Sequence, residues 1–204
     1  WRKVGDVLAA AVQEMGVAGD VEGLRRLEYR GYDSAGLAVL DDAGDLLVRR
    51  EEGKLDNLER LLRERPLRGH VAIGHTRWAT HGPPCRRNAH PHSSPDGELV
   101  VVQNGIVENF SALRSQLIEA GHTFKSDTDT EVLVNLIEEI KKEEKVKLGK
   151  AVQIALNQVV GAYAIAFFDR NKPDEIDRAK MVGESFCSDF KNFVRRVMRA
   201  LTSC

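Results

Sequence analysis

The sequence predicts an α+β domain, and three observations carry that prediction. Short apolar runs at 35–40, 71–73, 99–102 and 163–168 are bounded by turn residues, as buried strands are. Longer segments at 55–65, 110–120, 129–144 and 148–160 repeat their apolar residues at helical spacing. The two kinds of segment mix without the regular strand–helix alternation of a parallel α/β sheet.

Taken in order, 7–15 has good helix formers and no breaker, and Gly16 and Gly19 bracket a break. Val21, Leu24 and Leu27 then mark a short helix that Gly31 closes. The runs 35–40 and 46–50 flank Asp41-Asp42-Ala43-Gly44, a hairpin signal. Leu55, Leu58, Leu61 and Leu62 form one helical face that ends before Pro66. Residues 82–97 hold four of the six prolines and read as a long structured loop, a kind of segment that is usually functional. The strand 99–102 is expected to end at Gln103-Asn104-Gly105. After Pro173 the pattern changes, and 190–201 reads as a basic amphipathic helix.

Composition excludes several classes of function. Thirty basic residues against thirty-one acidic ones leave no net field to hold nucleic acid. No apolar run approaches the roughly 20 residues of a membrane span, and no signal segment opens the chain. Cys85, Cys187 and Cys204 are far apart and odd in number, so neither a disulfide framework nor a cysteine zinc site is expected, and a cytoplasmic location is. The chain opens on Trp1 rather than Met, which reads as a processed or incomplete product.

Three constellations carry chemistry. Gly74 to Gly82 follows a strand with Thr76, Arg77, Trp78, Thr80 and His81 crowded together. An arginine at a strand end can clamp a carboxylate with two parallel bonds, with Thr76, Thr80 and His81 as further donors, although a structural salt bridge would also use it. Asn104 and Gly105 offer an amide NH2 and a backbone N–H suited to an oxyanion, but the dipeptide by itself reads more readily as a turn. Thr128 and Glu131 have capping-box spacing, which leaves Asp129 in the first helical turn free to meet an ammonium. Together these are the groups needed to hold an α-amino acid with a cleavable side-chain amide, and glutamine fits. A rival account comes from His70, His75, His81, His90 and His92, five of six histidines in one segment, which could hold zinc. No carboxylate partner or helix-borne pair supports it, so no metal and no cofactor are expected.

The run Glu22 to Gly36 (EGLRRLEYRGYDSAG) resembles the signature of glutamine–fructose-6-phosphate aminotransferases. His75 to Gly82, Asn88 to His92, Asn104 to Asn109 and Ser126 to Glu131 match the same family in the same order. The resemblance covers about 19–176. It implies an N-terminal glutaminase domain, a four-layer αββα sandwich of the N-terminal-nucleophile hydrolase type. It also implies that Arg77 holds the glutamine carboxylate with Thr80 and His81, and that Asp129 holds the ammonium. Asn104 and Gly105 would form the oxyanion hole, Trp78 would gate the ammonia path, and Arg30 would lie beside the nucleophile. In that family a first-residue cysteine attacks the amide and its own amine is the base.

The sequence departs from this pattern at its ends. Residues 1–18 contain no Cys-Gly-Ile-Val-Gly run, so the first strand is expected to be missing. The three cysteines lie within or near the end of the chain without a free amine, and 177–204 reads as a divergent tail. Gln103 stands where the family often has histidine. The expectation is a glutaminase-domain portion that releases no ammonia as this chain, or alternatively a glutamine-binding module without a nucleophile. Fructose 6-phosphate would be handled only through isomerase domains that this sequence does not contain.

Overall fold

The computed structural model describes residues 16–69, 71–171, 176–182 and 185–186. The element order is α1 (Gly16–Leu27), β1 (Ser34–Leu40), β2 (Leu46–Glu52), α2 (Leu55–Glu64), β3 (Val71–Arg77), β4 (His92–Ser93), β5 (Leu99–Val107), α3 (Phe110–Glu119), α4 (Asp129–Glu143), α5 (Leu148–Gln158), β6 (Gly161–Asp169), β7 (Ile176–Val182) and β8 (Ser185–Phe186). The strands form two antiparallel sheets, ordered β2-β1-β3 and β4-β5-β6-β7-β8.

Strand periodicity builds the layers. Successive side chains of a strand point to opposite faces, so each sheet has two apolar sides to bury. On β1, Leu37 and Val39 pack against Leu24 of α1 and Leu55 and Leu58 of α2. Ala38 and Leu40 turn the other way and meet Val71 and Ile73 of β3 and, from the second sheet, Val100, Val102, Ala166 and Phe168. The outer face of the second sheet, with Leu99, Val101, Ile165 and Phe167, is covered by α3, α4 and α5 through Leu113, Leu117, Leu133, Ile137 and Leu156. Helices, sheet, sheet and helices give the αββα sandwich, and the fold class is α+β.

Several boundaries differ from the sequence reading. Gly16 and Gly19 do not break a helix but lie inside α1, whose face against β3 is held by tertiary packing. β5 does not stop at 102 and is nine residues long, because β6 offers a ladder of equal length from Leu99↔Asp169 to Val107↔Gly161. Asn104-Gly105 is therefore interior to a strand and not a turn. The chain after 173 is not without strands: β7 pairs along β6 and β8 along β7. The expected helices at 7–15 and 190–201, the missing first strand, His70, Cys187 and Cys204 lie outside the described residues.

Candidate functional site

The space between the sheets changes character along its length. Val71, Ile73, His75 and Arg77 share one face of β3, and the first two belong to the apolar core between the sheets. The same face therefore runs from hydrocarbon to imidazole to guanidinium. Gly36 pairs with His75 across the ladder, and a Cβ there would lie 2.1 Å from the carbonyl oxygen of His90, so only glycine admits the His90 segment to this seam.

Arg77 closes the polar end. It is 3% exposed. Its Nη2 donates to the carbonyl oxygens of His81 and, at 3.3 Å, of Gly82, while Nη1 is buried with no hydrogen-bond partner. The structural salt bridge weighed for this residue is not what occupies it: both bonds go to main-chain carbonyls. Burial pulls the guanidinium pKa down, and the nearby charges of Asp129 and Asp33 draw it back up.

Asp129 opens α4 and is buried. Its Oδ2 accepts the Val107 N–H at 2.9 Å and the Gln103 Nε2 at 3.0 Å, both from β5, and lies 3.4 Å from Nδ1 of His81. The His81 ring is thus held by its carboxylate neighbour and by Phe110, whose ring centroid is 4.3 Å away. Gln103 is itself fixed, because its Oε1 accepts from Thr130 Oγ1 at 3.1 Å and that hydroxyl also meets Nε2 of His90 at 3.1 Å. Sequence reading did not find this amide bridge. The available signal was strand parity, which puts Gln103 on the helix-facing side of β5 with Leu99 and Val101.

The helix start differs from the capping box expected. Thr128 Oγ1 accepts the Glu131 N–H at 3.2 Å as an N-cap should. Glu131 does not reciprocate to Thr128 but binds the N–H groups of Lys125 (2.8 Å) and Ser126 (2.6 Å) and the Ser126 hydroxyl (2.6 Å). It ties down the preceding loop instead.

Of the remaining expected residues, Asn104 and Gly105 lie on β5 beside Gln103, and Gly105 has a φ of +122°. Trp78 is 57% exposed, with its ring edge-on to Tyr32 at 5.3 Å. The donor crowd around Arg77 is thinner than the sequence implied. Thr80 is exposed, and Thr76 lies on the opposite face of β3, because adjacent strand residues alternate. The side chain of Arg30 is outside the described set. Asp33, one residue before β1, pins the loop from its flank by accepting the Ala79 N–H at 2.8 Å.

Three histidines occupy the seam. His75 and His90 stack at 4.6 Å, His90 and His92 meet at 5.1 Å, and His92 Nε2 lies 3.0 Å from the Thr128 hydroxyl. Burial, together with the positive charge of Arg77, lowers the His75 pKa to about 3, and burial holds His90 and His92 well below the usual range. These rings are neutral spacers at pH 7. Among the described residues no group of three His, Cys, Asp or Glu side chains converges as metal ligands.

The αββα layering is that of N-terminal-nucleophile glutamine amidotransferases, and one end of its inter-sheet seam holds a buried cation and a buried carboxylate. The family profile described as "Glutamine amidotransferase domain" matches residues 63–182, and the chain belongs to that family. Over 160 residues it is 52% identical to a glutamine–fructose-6-phosphate aminotransferase (isomerizing) of Bacteroides thetaiotaomicron, an alignment covering 78% of this chain and 26% of that one. Over 186 residues it is 47% identical to the enzyme of the same name from Pseudomonas syringae pv. tomato, covering 87% and 30%. The chain thus spans under a third of the length of these relatives. Among solved structures, the glutamine phosphoribosylpyrophosphate amidotransferase of B. subtilis superposes with a TM-score of 0.62 at 29% identity, covering 74% of this chain and 32% of that one. A second structure, described as the allosteric regulatory enzyme of purine biosynthesis, gives 0.64 at 30% identity with the same coverage.

Proposed function

We propose that the polar end of the seam binds L-glutamine, and that in the whole protein it releases ammonia for the synthesis of glucosamine 6-phosphate. The observation that carries this reading is the buried, unpartnered Nη1 of Arg77 beside the Asp129 carboxylate in a glutamine amidotransferase domain. A buried guanidinium nitrogen without an acceptor is costly unless a ligand supplies one. Arg77 then takes the α-carboxylate of glutamine. All three contacts of Asp129 fall on Oδ2, so Oδ1 is the oxygen for the α-ammonium. His81 lines the space between them. When the side-chain amide is attacked and its C–N bond breaks, the charge that develops on the carbonyl oxygen is met by the Asn104 amide and the Gly105 N–H. Ammonia leaves past Trp78, with Thr80 at the lip and Arg30 near the attacking group. Fructose 6-phosphate is the acceptor only in the whole protein, through its isomerase domains, and the cytoplasm is the compartment.

We further propose that the polypeptide of these 204 residues binds glutamine without hydrolysing it. The mechanism the family uses needs a thiol with a free amine as its base. Cys85, the described cysteine, sits between peptide bonds in the loop after β3. Titration calorimetry with L-glutamine tests the binding. Heat of binding is expected, and Arg77→Ala should weaken affinity by at least about 30-fold, since a buried charged contact is lost. No heat at millimolar glutamine overturns the reading. Glutamine turnover by this polypeptide that Arg77→Ala abolishes would overturn the second proposal and leave the first standing.

A further inference from the structure

Arg50 of β2 and Arg87 of the loop before β4 line two depressions. One is a cavity of about 340 Å³ lined by Arg50, Arg87, Lys125, Ser93, Glu131 and Asn135, among others. The other, about 420 Å³, is lined by Val48, Arg50, Arg86 and Arg87. Arg50 and Arg87 line both, with Lys125 on the first and Arg86 on the second. The carboxylates nearby are already engaged. Glu131 accepts three bonds from residues 125 and 126, and Asp127 holds Arg87 at 2.8 Å. Among the described residues, no carboxylate lies at ion-pair distance from Arg50, Arg86 or Lys125. Arg50 is half-buried and spends one donor on the Ala89 carbonyl oxygen at 3.2 Å. Burial costs the Arg50 guanidinium hydration and the Arg86 charge adds repulsion, which the Glu131 charge offsets in part, so a further anion here would be stabilising.

We infer that the first cavity is a binding site for a phosphoryl dianion, separate from the glutamine cradle, with Arg50, Arg87 and Lys125 holding the phosphoryl oxygens. Arginine forks match tetrahedral oxyanions in geometry, and Ser93 and Asn135 supply neutral hydrogen-bonding groups for whatever the phosphoryl group is attached to. A volume of about 340 Å³ is at the lower end of small-ligand pockets, enough for a small phosphomonoester as well as for the free ion.

The test is calorimetric titration with inorganic phosphate and with glycerol 3-phosphate at matched ionic strength, since exposed charges are screened. Saturable binding is expected for at least one probe. Lys125 is exposed and, among the described residues, only its backbone N–H is hydrogen-bonded, so Lys125→Gln should fold normally and bind about tenfold more weakly. Arg77→Ala should leave phosphate binding unchanged, which keeps this outcome distinct from the glutamine reading. Tighter binding of the ester identifies an esterified ligand, and equal affinities identify the free ion; either supports the site. Binding that is absent, or equal in Lys125→Gln and the parent, overturns it.

Discussion

At the scale of single residues, the site depends on side chains whose neighbours come from distant segments. Gly105 is the sharpest case. Its φ of +122° is rarely open to other residues, and a Cβ there would lie 2.2 Å from the Ala162 carbonyl oxygen and 2.6 Å from the Tyr163 Cα, both rigid backbone. Gly105→Ala should therefore cost at least about 2 kcal/mol, read as a lower urea midpoint with an unchanged slope. Gln103 gives a second prediction. Gln103→Met keeps the volume but removes the bonds to Asp129 and Thr130. It should destabilise by about 1–3 kcal/mol through the buried groups left unpaired, and weaken glutamine binding measured calorimetrically. Arg77 and Asp129 stood out in the sequence because donors crowd beside the first and the helix cap does not require the second. Gln103 could not, since its function comes from Thr130 and Asp129 lying opposite, which no local spacing encodes.

Elements show the same division between local and long-range causes. The hairpin at 41–44 and the helices α2, α3, α4 and α5 were legible because turn chemistry and helical periodicity act within a few residues. The lengths of β3 and β5 were not. Polar residues at 75–77 and 103–106 break the apolar run, yet both strands continue because β1 and β6 supply the ladder partners. β7 was missed for the same reason: its pairing with β6 is tertiary, and its polar sequence resembles a loop. The start of α4 turns this into a measurement. Thr128→Ala removes the N-cap bond and the hydroxyl's contacts with His92 Nε2 and Ser126 Oγ, and should cost about 1–2 kcal/mol. Glu131→Ala removes the acceptor for two backbone N–H groups and a hydroxyl, and should cost more, about 2–4 kcal/mol, in urea titrations. Equal losses would mean that the cap, not the loop tether, organises this helix start.

For the whole molecule, the αββα layering follows from alternating apolar faces, but the polar end of the inter-sheet seam could be read from sequence in two ways. Five histidines between 70 and 92 raise a metal site as a rival reading, which the lack of a helix-borne pair or a carboxylate partner disfavours. The structure gives three of them one another and two threonine hydroxyls as neighbours, in a seam where burial disfavours the charged rings. A pH dependence of global stability follows. Unfolded imidazoles titrate near 6.5, whereas burial keeps folded His75 at about 3 and His90 and His92 well below the ordinary value. Between those limits the unfolded chain binds protons that the native state refuses. Stability is therefore fully present above about pH 6.5 and is lost as pH falls, by up to about 1.4 kcal/mol per pH unit for each imidazole. Glu138, raised by burial, acts in the opposite sense just above the ordinary carboxylate range and blunts the slope there. Asp96 and Asp127, held below the usual carboxylate range, add losses only at more acidic pH. Urea midpoints at pH 7.5, 6.5 and 5.5 should fall in that order, and His75→Gln should flatten the fall because glutamine does not titrate. A midpoint independent of pH over this range would mean that the seam admits protons, and the neutral-spacer account of these histidines would fail.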